Sequence, residues 1–304
     1  MVLLVLLVVA AQRLDVGRVF AELRTVRAPW IVGALACYVA ILPLWALQWR
    51  LLAPQTERNT FRRMLGVIAM TSSTHNTTAF LVGEATGGLL LATHVGLGRS
   101  AALSVVAMDQ LLVGIAKLAV LTTAALMLPL PEWMAAGVMA LAIGVGILLV
   151  STVLASWHYE AIAKRAERLP ARVVTAMEQI GRALAPLRSL PRGGGALVLA
   201  LLKMVVETLA MLCIQHAFGM ELPVASAVLV LAALNLATLV PVVPGNLGVY
   251  EGAVVFIYTR FGVPAEQALG VAVVQHACFF AALALPGYGW LAGAGASRRA
   301  AAAS

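Results

Sequence analysis

Five uninterrupted apolar stretches, Trp30–Leu52, Ala101–Leu128, Trp133–Ala155, Ala196–Ala217 and Ala265–Leu291, leave this chain few ways to fold. Each reaches the roughly 20 residues that a helix needs to cross a bilayer. Inside hydrocarbon every backbone N–H and C=O must find a partner within the protein, which restricts such stretches to helices or closed barrels. The runs are continuous rather than alternating, and that selects helices. Only 11% of the residues are charged, against about a quarter in a soluble domain. The expected fold is all-α: a polytopic transmembrane helical bundle, with residues 1–304 forming a single integral membrane domain.

Two further apolar regions do not read as ordinary spans. In Leu239–Ala253 (LVPVVPGNLGVYEGA) Pro241 and Pro244 remove backbone donors, and Gly245 and Gly248 permit turns. A helix entering here must break, yet apolar sequence continues on both sides and Glu251 lies inside it. Broken backbone and a carboxylate at membrane depth are tolerated where protein or a wet cavity surrounds them. Residues 224–259 are therefore expected to form a re-entrant hairpin, with an external loop between two ordinary spans as the alternative. Met64–Val95 is long for one span and short for two. It is interrupted by TSSTHNTT (Thr71–Thr78) and by Gly83, Glu84, Gly87 and Gly88, so a second hairpin is expected over residues 64–95.

The two regions resemble each other. Gly83 and Glu84 precede ALSVVAMDQ (Ala102–Gln110), and Tyr250 and Glu251 precede ALGVAVVQH (Ala268–His276) at nearly the same offset. Three full spans separate them, an odd number, so the hairpins are expected to enter from opposite faces, as an inverted repeat with residues 1–155 and 196–291 as its halves. If Met64–Val95 crosses only once, the units are parallel; a chance match of small apolar residues is the other reading. Inverted repeats with broken helices build carriers whose site lies between the repeats near the midplane.

Basic residues set the expected topology. Trp157–Gly195 is polar, rich in arginine, and expected to be amphipathic on the cytoplasmic surface. The positive-inside rule places it, residues 58–63, Arg99, Arg298 and Arg299 on the cytoplasmic side of the cell (inner) membrane. Residues 129–132 and 219–223, without Lys or Arg, fall outside. Gln12–Ala28, read as a short interfacial helix, disagrees: it also falls outside yet carries Arg13, Arg18, Arg24 and Arg27. Val2–Ala11 is too short to span and lacks the basic start of a signal peptide; it reads as part of a span that begins upstream. Orientation and anionic lipid account for the net charge of +8, and no nucleic-acid partner is expected.

Ionisable groups inside the apolar runs are Glu84, Asp109, Lys117, Lys203, Glu207 and Glu251, each expensive at that depth. Lys203 and Glu207, four apart on one helical face, read as a local ion pair. Asp109 and Lys117 share a face but stand too far apart for contact, and would pair with other helices, structurally or around a path. Glu84 and Glu251 sit among glycines at the expected breaks. There, exposed amides can receive an anionic headgroup while the carboxylate takes a cationic group or a proton; capping of the broken helix is the structural role open to the same residues. The candidate path comprises Glu84, Glu251, Gly83, Gly245, Asn246, Gly248 and Asp109, with Pro241 and Pro244 as helix breakers.

His75, His94 and His276 match no metal-ligand spacing and read as hydrogen-bonded packing residues, as Cys37, Cys213 and Cys278 read as small packing residues. No metal or cofactor is expected. HExxH, GxSxG and phosphate-loop motifs are absent and no nucleophile is paired with a base, so an enzyme is not indicated.

PVVPGNLGVYEGAVV followed by FGVPAEQALGVAVV resembles the second signature of the lysylphosphatidylglycerol synthase transmembrane-region family. WALQWRLLAP, Leu81–Leu91 and ALSVVAMDQLL resemble its first half, and the resemblance covers most of Val2–Leu291. It implies a polytopic, flippase-like protein that moves a phospholipid or lipid-linked headgroup between leaflets without hydrolysing ATP itself. The implied partners are anionic or amino-acylated phospholipids or a lipid-linked carrier. The alternative is a non-transporting scaffold that delivers lipid intermediates to a partner lipid-modifying enzyme. The soluble aminoacyl-transfer domain of bifunctional members is not expected here. There are departures: Phe80 and Gly88 stand near positions where the family has proline and arginine, and Gln110 and His276 where it commonly has arginine. Losing those cations weakens phosphate binding by the first hairpin.

Overall fold

A computed structural model describes residues 16–78, 80–165, 190–238 and 244–291, and every regular element among them is helical. In chain order these are α1 (Val16–Arg24), α2 (Ala28–Leu52), α3 (Phe61–Thr77), α4 (Phe80–Leu90), α5 (Arg99–Met127), α6 (Glu132–Arg165), α7 (Leu190–Ala217), α8 (Val224–Ala237), α9 (Val249–Arg260) and α10 (Ala265–Leu283). Four stretches are long and apolar enough to cross a membrane: Ala28–Leu52, Arg99–Met127, Pro191–Ala217 and Ala265–Leu291. Those over Glu132–Ile147 and Val224–Ala237 are shorter. Val2–Ala11 and Pro241 lie outside the described residues. The interfacial helix expected over Gln12–Ala28 is observed only as α1, within that stretch.

The polar segment Trp157–Gly195 does not begin where its composition changes. α6 continues to Arg165 because no Pro or Gly between Ser151 and Arg165 stops it. At the other end, residues 191–195 already belong to α7; residues 166–189 lie outside the described part.

α2 and α7 form the most extensive helix pair. A β-carbon on Gly33 would lie 3.4 Å from Cys213 Sγ, and one on Gly195 would lie 3.2 Å from Leu51 Cδ1. The pairing therefore runs antiparallel, with small residues letting the backbones approach. α5, α8 and α10 pack around this pair.

The first broken region is helical through nearly its whole length, which corrects the expected position of the break. TSSTHNTT stays in α3 because its side chains bond back to carbonyls four residues earlier: Thr71 Oγ1 to Val67 O (2.8 Å), Thr74 Oγ1 to Met70 O (2.6 Å), Asn76 Nδ2 to Ser72 O (2.8 Å) and Thr77 Oγ1 to Ser73 O (2.7 Å). α3 ends only at Thr78. α4 then runs back along α3, with Gly83 opposite His75 and Gly87 opposite Thr71. These glycines permit close packing inside a helix; they do not break it. A π-helical turn (Leu91–Val95) follows, and Gly96 returns beside Arg58, near where α3 began. In the second region α8 ends at Thr238, a tight turn covers Pro244–Asn246, and α9 starts after Gly248. Its two ends also return together, since Gln267 Nε2 donates to Phe218 O (3.4 Å).

Candidate functional site

The two helix–break–helix pairs meet inside the bundle. The turn Pro244–Asn246 packs on α3, and a β-carbon on Gly245 would stand 3.3 Å from Asn76 O. Gly245 (φ 66°), Asn246 (φ 53°) and Gly248 (φ 83°) all adopt left-handed backbone, which Gly enters freely and Asn tolerates. The last turn of α3 and the C-terminal end of α8 thus face one space.

That space is a cavity of about 280 Å³. α5 lines it with Asp109, Gln110, Val113 and Lys117, a stripe on one face, and α7 with Lys203, Met204 and Glu207. His75, Glu84, Asn235, Gly245 and Asn246 complete its polar wall, and Tyr250, His276 and Phe279 add aromatic surface. The carboxamide oxygen of Asn246 is buried without a hydrogen-bond donor among the described residues. The volume sits at the lower end of small-molecule sites.

Asp109 is the most firmly held group in this wall. It is 1% exposed; Trp45 Nε1 donates to Oδ2 (3.1 Å), Gln48 Nε2 donates to Oδ1 (2.9 Å), and Lys203 Nζ lies 4.0 Å from Oδ1. Lys203 also stands over the Trp45 ring, 5.2 Å from its centroid. The local Lys203–Glu207 ion pair expected from spacing is therefore replaced by a contact between helices.

Glu84 and Glu251 occupy corresponding places in the two regions. Gln110 Nε2 donates to Glu84 Oε1 (2.8 Å), 26 residues on, and His276 Nδ1 lies 2.7 Å from Glu251 Oε1, 25 residues on. Gln110 and His276 are thus the partners of the two glutamates. Their surroundings differ. Glu251 Oε2 accepts the Gly248 N–H (2.7 Å) at the start of α9, the return half of a capping box whose other half glycine has no side chain to supply. Glu251 is not among the cavity-lining residues, and its position is that of a cap. Glu84 lies in the middle of α4 and faces the cavity, with His75 Nδ1, from the last turn of α3, 3.4 Å from Oε1.

The structure therefore brings Glu84, Asp109, Gly245 and Asn246 to the cavity. It does not place Gly83, Gly248 or Glu251 there: Gly83 packs on the His75 backbone, Gly248 precedes α9, and Pro244 belongs to the turn. Sequence reasoning had not assigned Lys117, Lys203 and Glu207 to one site; the available signal was the Asp109/Val113/Lys117 and Lys203/Glu207 spacing, which aligns charges on single helix faces.

The family model described as "Lysylphosphatidylglycerol synthase TM region" matches residues 1–287. The chain belongs to this family. As a member of the lysylphosphatidylglycerol synthase transmembrane-region family with four apolar helices of spanning length, it is a multi-pass integral membrane protein. No curated protein and no solved structure matches it. The family's match runs through both broken regions and every cavity-lining residue named above.

Proposed function

We propose that this chain is a flippase-like protein of the cell membrane that passes a phospholipid or lipid-linked headgroup between leaflets through the charged cavity, without hydrolysing ATP itself and without chemical change to the lipid. The observation that carries this reading is the cavity of about 280 Å³ between membrane-spanning helices, whose wall holds Glu84, Asp109, Lys117, Lys203 and Glu207. Charges at membrane depth mark substrate and ion paths, and broken helices whose ends meet beside them are the usual build of a carrier site. In this reading the α3–α4 and α8–α9 pairs are re-entrant hairpins entering from opposite faces, an inverted repeat in which Glu84 faces the path and Glu251 holds the second hairpin's shape. The basic stretch within residues 157–195 and the C-terminus face the cytoplasm, against anionic lipid.

The test is headgroup-labelled lipid in proteoliposomes, read as loss of signal to an outside quencher. Wild type is expected to translocate faster than empty liposomes, with Glu84→Gln slowed about tenfold, the value of one charge-assisted hydrogen bond. Wild type matching empty liposomes across several headgroups, with and without a proton gradient, would overturn the reading in favour of a scaffold that hands lipid to a partner enzyme. Turnover of a lipid extract by the purified protein would overturn the non-enzymatic part.

A further inference from the structure

Of the charges facing the cavity, three are already held. Asp109 and Lys203 hold each other with Trp45 and Gln48, and Glu84 is held by Gln110 and His75. Lys117 and Glu207 are different. Neither makes a hydrogen bond with any described residue, or an ion contact as close as the 4.0 Å of Lys203 and Asp109. They stand on α5 and α7, two helices packed against each other. Both are partly open and both line the cavity. They stand within the spanning stretches Arg99–Met127 and Pro191–Ala217, where a charge without a close partner is expensive.

We propose that Lys117 and Glu207 are the two ends of a subsite for a zwitterionic headgroup, Lys117 receiving a phosphate and Glu207 an ammonium. A phosphate alone would satisfy Lys117 and repel Glu207; an ammonium alone would do the reverse. Only a ligand carrying both signs satisfies both side chains and adds no net charge to a low-dielectric space. The cavity wall agrees: Tyr250 and Phe279 line it with ring centroids 6.0 Å apart, an aromatic surface of the kind that favours an ammonium group. The subsite rests on the translocation reading for its biological use, but its binding is measurable without transport.

The experiment titrates the detergent-purified full chain with dihexanoyl phosphatidylethanolamine, dihexanoyl phosphatidylglycerol and inorganic phosphate, following binding by calorimetry and folding by thermal midpoint. The zwitterionic lipid is expected to bind about tenfold or more tightly than either probe lacking an ammonium. Lys117→Gln and Glu207→Gln should each lose about tenfold for that lipid, and the exchange variant Lys117→Glu/Glu207→Lys should bind more tightly than either. Equal binding of the two lipids by wild type overturns the subsite whatever the variants do, so a variant that fails to fold leaves the proposal decidable. Selective binding without scrambling would sink the translocation reading and keep the subsite; scrambling with no preference for the zwitterion would do the opposite.

Discussion

Lys203 Nζ lies 4.0 Å from Asp109 Oδ1 on a neighbouring helix, although Glu207 stands one turn along its own. The contact joins α5 to α7, and the Trp45 and Gln48 donors extend the junction to α2. Removing one partner of a buried pair leaves the other charge uncompensated, at a cost of about 3–5 kcal/mol. Asp109→Ala should therefore lower the thermal midpoint in detergent sharply. Asp109→Leu/Lys203→Met, which removes both charges, should recover most of the loss. A double variant no more stable than Asp109→Ala would show that the charges are not what ties these helices.

Glu84 and Glu251 separate by the readout they move. Glu251 caps α9 through Gly248 N–H, so Glu251→Ala should cost about 0.5–2 kcal/mol of stability, as loss of a cap does. Glu84→Gln keeps an acceptor for Gln110 within an intact helix and should leave the thermal midpoint nearly unchanged while slowing translocation. Finding the stability loss at Glu84 and none at Glu251 would reverse the assignment.

Gly245 and Gly252 provide a matched pair of glycine tests. Gly245 has φ 66° and would bring a β-carbon to 3.3 Å from Asn76 O, so Gly245→Ala should destabilise by about 1–2 kcal/mol through left-handed strain. Gly252 lies inside α9 with open space where its β-carbon would go, and Gly252→Ala should stabilise by up to about 1 kcal/mol. Thermal midpoints of the two variants moving in the same direction would refute the backbone account of the turn.

Much of this architecture was legible in the sequence because apolar length alone decides it. Trp30–Leu52 and Ala101–Leu128 appear within two residues of the observed helices. The turn at Pro244–Asn246 was legible because proline and glycine act locally. The first break was misplaced because serine and threonine hydroxyls have a second option in a helix, bonding to the preceding turn, and TSSTHNT takes it. Gly83 and Gly87 looked like breaks but face His75, Trp49 and Thr71 across a helix contact, which depends on the partner helix. For the same reason the partner of Lys203 was not readable: spacing supplies the local candidate, Glu207, and says nothing of Asp109 on α5. Trp157 marks a change in composition with no helix stop in it, so α6 passes through.

The orientation of the two broken pairs is open to direct labelling. Gly96 lies beside Arg58, and Gln267 reaches Phe218, so each pair enters and leaves at one end of the bundle. α2 runs between those ends: Arg27 N–H donates to Ala217 O at its start, next to Phe218, and Leu51 lies by Gly195 at its finish, near where α3 begins. In a background with Cys37, Cys213 and Cys278 changed to alanine, single cysteines at Glu57 and Gly98 should react with an impermeant maleimide from one side of the membrane. Cysteines at Glu221 and Pro264 should react only from the other. Labelling of Glu57→Cys and Gly98→Cys from opposite sides would mean that α3 and α4 together cross the bilayer, and would overturn the inverted arrangement proposed for the two pairs.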